Sequence, residues 1–239
     1  MNALLLGIKL QFKMDIRSKT LLVTCYLVPL LFFAVMGGIF TSLMPEAKNT
    51  LIQSMTVMGG SMGALAGVPP SIVEIYGTDI KKMYSANGIP MYFGLVSLLV
   101  SAFIHIMVMG LIIFVASPII FHASMPSNLL LYFLALALFI IVSLSISCIL
   151  GLAVKSQAKL TMYSQIVFLP SIMLSGIMFP AEFLPKILEN IGKLFPATWG
   201  YILLSQKDRS SSAVIPLFII LFTAVILNNL LLKKIRSDS

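Results

Sequence analysis

Few side chains in this 239-residue sequence are of types that do chemistry, and they are scattered. There are two histidines, His105 and His122, and two cysteines, Cys25 and Cys148. Both cysteines lie inside apolar runs and form no C-x-x-C pair, so the sequence indicates neither a metal site nor a disulfide framework. No serine, histidine and acid stand out as a catalytic triad. We therefore predict that this chain is not an enzyme.

His105 is the histidine that lies in the middle of an apolar run. A histidine inside a membrane span is a candidate for proton transfer, which usually involves a charged partner within the membrane. The eight acidic residues instead fall in loops or at the ends of apolar runs, and Glu74 is the nearest to such a run. We expect a neutral His105 bonded to a carbonyl or hydroxyl group, with proton relay as the alternative.

No nucleotide site is indicated by the motifs of the sequence. The pattern G-x-x-x-x-G-K-[ST], whose loop and lysine hold phosphates, does not occur. Gly59, Gly63 and Gly67 are spaced by four in an apolar run without lysine. One face of that helix is bare for three turns, so another helix can approach it closely. The approaching helix can belong to the same subunit, which we favour, or to a second subunit.

The elements that position these residues are membrane spans. Hydrophobic residues make up 59% of the chain, charged residues 10%, and the mean hydropathy is +1.04, whereas soluble proteins carry about 25% charge. A spanning helix needs about 20 apolar residues, so there is room for roughly six spans. The basic residues cluster at span ends, where they meet anionic membrane lipid. The net charge of +8 therefore does not indicate nucleic acid binding.

We predict an all-α integral membrane protein with one transmembrane domain over residues 1–239. An interfacial amphipathic helix occupies residues 1–19, with Lys9, Lys13 and Arg17 on a basic face and Leu5, Ile8, Phe12 and Ile16 on an apolar one. Six spans follow, at residues 21–43, 51–75, 91–121, 129–154, 160–179 and 213–232. A polar element at 76–90 and a longer connection at 180–212 link them.

The distribution of basic residues predicts the orientation. With the N-terminus inside, eleven lysines and arginines lie in inner segments and five in outer ones. Basic residues favour the cytoplasmic side, so we expect both termini and residues 76–90 there. Residues 76–90 are too polar for hydrocarbon. They form either a plain solvated loop or a surface that a cytoplasmic partner grips.

The connection at 180–212 has a helical apolar pattern that is too short and interrupted to span. Pro185 suits a first helical turn, and Pro196 ends the helix. Trp199 and Tyr201 are typical of a membrane interface. We predict two short re-entrant helices that enter the membrane from outside, which requires burial in protein or a position lining a cavity.

Methionine and other apolar residues of the spans can form an adaptable surface for a hydrophobic or amphipathic molecule. Packing or lipid contact is the alternative for each of them. The candidates for this substrate pathway are Met55, Met58, Met62, Phe168, Met173, Ile177 and Met178.

Three features together resemble the permease subunits of type-2 ATP-binding-cassette exporters, the group that includes daunorubicin and multidrug-resistance permeases. One is the six-span plan after an interfacial helix. Another is Glu74-x-x-Gly77-Thr78, followed by a proline that opens the third span. The third is a succession similar to the family's Gly-x-x-x-Pro, Leu-Pro and Asn-Pro-x-Thr, with phenylalanine in place of the usual asparagine. It reads Ser175-Gly176-Ile177-Met178-Phe179-Pro180, Leu184-Pro185 and Phe195-Pro196-Ala197-Thr198.

The resemblance implies two permeases, identical or different, around a central pathway, and two separate nucleotide-binding ATPase subunits that hold ATP and Mg²⁺. This chain would have no cofactor of its own. Residues 76–90 would form a coupling element on the ATPase, contacted by the N-terminal helix. The expected coupling residues are Glu74, Gly77 and Thr78, their neighbours Asp79, Lys81, Lys82 and Tyr84, and Phe12, Asp15 and Ile16. The expected re-entrant gate comprises Pro180, Leu184, Pro185, Pro196 and Thr198.

The function that follows is ATP-driven export of a hydrophobic or amphipathic molecule, such as a drug, an antibiotic or an amphipathic peptide, across a bacterial cell membrane by alternating access. An alternative with the same architecture is export of a lipid-linked polysaccharide or teichoic acid, for which we would expect more basic and aromatic residues along the spans. A different class is an ion-coupled carrier or channel, which predicts paired charges within spans.

Overall fold

Helices follow the apolar segments of the sequence. The computed structural model describes residues 2–77, 80–178, 183–205 and 211–237, and within them it has helices and turns but no strand. Short 3₁₀ turns lie at Pro45–Asn49 and Ser211–Ala213. We number the remaining helices α1 Asn2–Arg17, α2 Lys19–Leu43, α3 Leu51–Tyr76, α4 Ile80–Ala86, α5 Tyr92–Phe121, α6 Leu129–Ala153, α7 Gln157–Met173, α8 Lys186–Gly192, α9 Pro196–Ser205 and α10 Val214–Ser237.

The central helix is α3, which contacts α2, α5, α6, α7 and α9. In its most apolar stretch 89% of residues are buried, against 22% in α2 and 11% in α10. The Tyr132 hydroxyl of α6 donates a hydrogen bond to Thr56 Oγ1 at 3.0 Å, and the Ser147 hydroxyl donates to the Ala64 carbonyl. Such bonds matter in a membrane, because lipid gives apolar helices no hydrophobic drive to associate.

Each of α2 and α3 contains one π turn shortly before a proline. Val23–Leu27 precedes Pro29, and Gly63–Gly67 precedes Pro69. Because proline lacks an N–H and its ring crowds the carbonyl four residues earlier, a π turn lets the helix continue past it. The two π turns pack against each other, with Cys25 Sγ 3.9 Å from the Gly63 carbonyl oxygen.

Within the described residues five helices, α2, α3, α5, α6 and α10, are long and apolar enough to cross a membrane. The fifth of the six predicted spans, residues 160–179, overlaps α7, which has only 17 residues and ends at Met173. A turn at Gly176 follows, whose φ of +83° cannot continue a helix. The all-helical prediction is confirmed, whereas the span at residues 160–179, and with it the total of six spans, stays a prediction.

The helix bundle has two ends, which we call proximal and distal. The proximal end comprises the end of α3, α4 and the start of α5. The distal end comprises the end of α2 and the start of α3, together with the end of α5, where the Ser124 amide donates a hydrogen bond to the Lys48 carbonyl at 3.0 Å.

Candidate coupling site and pathway

A turn at Gly77 and the short helix α4 form the polar element at the proximal end. A Cβ placed on Gly77 would lie 2.6 Å from the Val73 carbonyl oxygen, so this turn leaves no room for a side chain. Glu74, on the last turn of α3, is exposed. Thr78 and Asp79, two of the predicted coupling residues, lie outside the described residues.

Two tyrosines fasten this element to α5. The Tyr76 hydroxyl donates a hydrogen bond to the Met91 carbonyl and accepts one from the Leu95 amide at 3.1 Å. Tyr84 of α4 packs onto Gly94 of α5, where an added Cβ would lie only 2.7 Å from the Tyr84 oxygen. Burial raises the pKa of Tyr84, so its hydroxyl is neutral at physiological pH. The end of α3, α4 and the start of α5 are thus joined.

The helix α4 also carries exposed apolar side chains. Ile80 is 37% exposed and Met83 is 63% exposed, one turn apart. Lys81 and Lys82 belong to the same short helix. Exposed apolar residues on this short helix are candidates for a protein contact or for contact with the membrane interface.

The N-terminal helix α1 packs along α5 through a small and polar face. A Cβ on Gly7 would lie 2.7 Å from the Phe93 ring. Asp15 is buried; its Oδ2 accepts a hydrogen bond from the Ser101 hydroxyl and its Oδ1 accepts one from Gln11 Nε2 at 2.8 Å. Of the predicted apolar face, Leu5 and Ile16 are exposed, while the helix buries Asp15 against α5.

His105 lies one turn beyond Ser101 on the same side of α5. Its Nδ1 is 2.7 Å from the Tyr26 hydroxyl of α2, which agrees with the predicted hydroxyl partner. The Phe12 ring of α1 stacks on the imidazole, with 4.7 Å between ring centroids. His105 Nε2 is buried and has no partner among the described residues. The helices α1, α2 and α5 therefore meet at His105, and a carboxylate, Asp15, is bonded one turn away.

The glycines of α3 face two neighbouring helices. Cβ atoms on Gly59 and Gly63 would meet Met109 and Ile106 of α5 at 2.8 and 3.1 Å, and one on Gly67 would meet Cys25 of α2 at 3.0 Å. A Cβ at Gly63 or Gly67 would require the neighbouring side chain to shift by a few tenths of an ångström, whereas the flexible end of Met109 could move aside for one at Gly59.

The predicted pathway residues do not form one continuous surface. Met55, Met58 and Phe168 are packed into the core, whereas Met173 is 53% exposed. Met62 is half-buried against the same core. Two of them, Ile177 and Met178, line a cavity between described residues.

That cavity lies at the distal end and has a volume of about 810 Å³. Its walls come from the end of α2, the start of α3, the turn after α7, and α8 and α9. It is lined by apolar side chains such as Phe40 and Tyr201, and by the carboxylates of Glu46 and Glu189. Glu189 is paired with Lys193 at 2.7 Å. The volume is within the range of about 300–1,000 Å³ that is usual for small-molecule sites.

The helices α8 and α9 close one side of this cavity. Pro185 lies at the N-terminus of α8 and Pro196 at that of α9, positions that the fixed φ of proline favours. Leu184 comes just before Pro185. The Thr198 hydroxyl donates to the Gly192 carbonyl at 2.6 Å, which ties the two helices together. Further along α9, a Cβ on Gly200 would lie 2.4 Å from the Phe139 ring in the middle of α6. Pro180 lies outside the described residues.

Several residues at these contacts were not predicted from the sequence, namely Gln11, Tyr26, Tyr76, Gly94 and Ser101. One signal was present: Ser97, Ser101 and His105 recur every four residues and make a polar stripe on the apolar helix α5. Gly94 gives no such signal, since a lone glycine in a span reveals nothing about its neighbour.

No residue cluster of the described part suggests a cofactor. No three or more His, Cys, Asp or Glu side chains are placed there to hold a metal ion, and Cys25 and Cys148 are buried free thiols. The site instead consists of an anchored exposed helix at one end and a cavity at the other, joined by long apolar helices. That arrangement suits a membrane transport protein rather than a catalyst.

Comparison with known proteins agrees with this reading. A search of curated proteins finds no match. The family model described as ABC-2 type transporter matches residues 3–207, which is most of the chain. This multi-pass membrane protein therefore belongs to the ABC-2 type transporter family, as a transport permease.

Proposed function

We propose that this chain is the permease subunit of an ATP-driven exporter and that a separate nucleotide-binding subunit docks on α4. The observation that carries the proposal is the construction of α4. This short helix is fastened to α5 through Tyr84 and presents Ile80 and Met83 outward. Membership of the family implies an ATPase partner, in which ATP and Mg²⁺ would bind.

The anchoring contacts provide a route for motion from the ATPase into the membrane. Displacement of α4 acts on Gly94 through Tyr84, and on the start of α5 through Tyr76. The helix α1 moves with α5 because Phe12 and Asp15 hold it there. Glu74, Gly77, Thr78, Asp79, Lys81, Lys82 and Ile16 complete the proposed contact with the ATPase.

In this proposal the proximal end and both termini lie on the cytoplasmic side of a bacterial cell membrane. Then α7 is the fifth of six spans, α8 and α9 are re-entrant from outside, and α1 lies in the interface. The exposed side chains of Leu6, Leu10 and Met14, spaced by four on α1, support the last point. A second permease, identical or different, completes the central pathway.

The proposed substrate is a hydrophobic or amphipathic molecule such as a drug, an antibiotic or an amphipathic peptide. The distal cavity supports this class, because apolar walls and a few polar groups line it together. Ile177, Met178 and Thr198 contribute to those walls. A lipid-linked polysaccharide or teichoic acid is the alternative substrate.

An ion-coupled carrier is the second candidate function, and one observation favours it. Asp15 is buried and bonded close to His105, and ionisable residues at such positions are candidates for ion pathways. However, Asp15 already accepts two hydrogen bonds and belongs to α1 rather than to a span. These contacts fit a structural role better than a transport role.

Co-purification from the native membrane tests the proposal. The full chain is solubilised, captured through a tag and examined by mass spectrometry. We expect a stoichiometric partner with a nucleotide-binding fold, lost when Met83→Asp places a charge on the exposed side of α4. Recovery of the chain without such a partner, while a proton gradient alone drives its transport, would favour the ion-coupled carrier instead.

A further inference from the structure

A lateral groove runs between α5, α6 and α10. It has a volume of about 520 Å³ and is lined almost entirely by apolar side chains, among them Leu99, Phe103, Leu144 and Val225. It exists because α10 packs chiefly on α6 and has few contacts with α5. Since α10 is the least buried of the membrane-length helices, the groove opens on the outer surface of the bundle and not toward its centre.

One end of the groove is polar. Asn228 and Asn229 of α10 line it together with Tyr92 at the start of α5. Asn228 Nδ2 donates a hydrogen bond to the Ser145 carbonyl at 2.8 Å, which holds α10 against α6. Asn228 Oδ1 is buried and has no partner among the described residues. The polar end of the groove therefore consists of two amide side chains, next to a long apolar wall.

Two basic residues continue this end of the groove. Lys233 follows Asn229 by one turn and Arg236 follows Leu232 by one turn, so they lie on the face of α10 that lines the groove. Lys233 and Arg236 are exposed, and neither has an ion-pair partner in the described part of the chain. The positive charges of Lys233 and Arg236 therefore lie just beyond the apolar groove.

The depth of these residues matches the layers of a bilayer. From Val214 to Asn228 the helix rises about 21 Å, and to Lys233 about 28 Å, at 1.5 Å per residue. The hydrocarbon core is about 30 Å thick. The groove therefore lies within the hydrocarbon, while Lys233 and Arg236 lie at the level of the lipid headgroups, where basic residues attract anionic lipid.

We propose that this groove binds an anionic glycerophospholipid, with an acyl chain between α5 and α10 and its phosphate beside Lys233 and Arg236. Charge complementarity favours an anionic over a zwitterionic headgroup. The lateral opening toward lipid favours a membrane lipid over the exported molecule. This inference does not depend on the identity of the ATPase.

Native mass spectrometry of the purified full chain tests the proposal, with phosphatidylglycerol and phosphatidylcholine of equal acyl chains added in turn. We expect tighter binding of phosphatidylglycerol. The double variant K233Q/R236Q should reduce this preference by about tenfold, because each basic residue at the surface strengthens binding of an anionic headgroup several-fold. The matched control K155Q/K159Q removes the same charge at the α6–α7 connection and should keep the preference.

A second variant tests the apolar part of the site. Val225→Phe fills the groove from a position that is 45% exposed on α10, so the core of the bundle is not disturbed. It should lower the binding of both lipids. Equal binding of the two lipids by the unchanged protein, or a preference that survives K233Q/R236Q, would overturn the proposal. So would a Val225→Phe protein that loses transport but binds phosphatidylglycerol as before, since the groove would then hold the exported molecule.

Discussion

Asp15 and Ser101 are 86 positions apart in the chain, and the serine hydroxyl donates a buried hydrogen bond to the carboxylate. This bond joins the N-terminal helix to the middle of α5. Gln11 supplies a second donor to the same carboxylate at 2.8 Å. The helix α1 is therefore held on the bundle not only by its apolar residues but also by the Asp15 carboxylate, whose hydrogen-bond donors are Ser101 and Gln11.

The stability that this hydrogen bond contributes should require both Asp15 and Ser101. In a double-mutant cycle of Asp15→Ala and Ser101→Ala, we expect a coupling energy of about 1.5–3 kcal/mol, since hydrogen bonds to charged groups contribute that much. Thermal or denaturant unfolding in detergent measures it. Ser97→Ala is the matched control, because the Ser97 hydroxyl is buried but has no partner in the described residues. A coupling near zero for Asp15 and Ser101 would contradict the assignment.

Gly151 of α6 should tolerate no side chain. An added Cβ would lie 2.5 Å from Cβ of Ile72, which is fully buried and stiff because it is β-branched. We expect Gly151→Ala to destabilise the protein by about 1–3 kcal/mol, the usual range for overpacking. Gly38→Ala is the control, since its Cβ would meet nothing closer than 3.9 Å. Melting temperatures that fall equally for both variants would show that the contact is unimportant.

The contact between Tyr84 and Gly94 should carry coupling between ATP hydrolysis and transport. Gly94→Ala would place a Cβ 2.7 Å from the Tyr84 oxygen and displace α4. We expect ATP hydrolysis to continue in proteoliposomes with the partner subunit, with several-fold less transport per ATP. Adding Tyr84→Phe removes the closest atom, so part of the coupling should return. Full coupling in Gly94→Ala alone would show that α4 does not transmit motion through this contact.

The apolar runs were enough to predict the helices, because a chain inside a membrane must satisfy its backbone groups within helices. The burial of Asp15 was not predictable in the same way. Both faces of α1 carry apolar residues, and sequence alone does not tell which of them meets lipid and which meets α5. Leu5, which continues the periodic pattern, is 59% exposed, whereas the face with Gly7 and Asp15 packs on α5.

The predicted fifth span failed to reach full length for a local reason. Hydropathy continues beyond Met173, but Gly176 takes a positive φ and turns the chain. The residues of the predicted pathway lie apart from one another for a different reason. A methionine in a span has the same sequence signature whether it lines a cavity or, like Met55 and Met58, fills the core.

Cysteine labelling in intact cells tests the predicted topology. The native cysteines are buried, so they should not react with a membrane-impermeant maleimide. We expect labelling from outside at Met44→Cys and Ile187→Cys, and labelling of Met83→Cys only after the membrane is opened. These positions are 41%, 74% and 63% exposed. Labelling of Ile187→Cys only from inside would mean that α7 does not cross the membrane.

Site-specific photo-crosslinking tests most directly the central claim that an ATPase docks on α4. A photoreactive residue replaces Met83 on the exposed side of α4, or Phe183 before α8 as a control that is 77% exposed. The account predicts an adduct between this chain and a nucleotide-binding subunit from position 83 and none from position 183. No such adduct from position 83, or one from position 183, would contradict it.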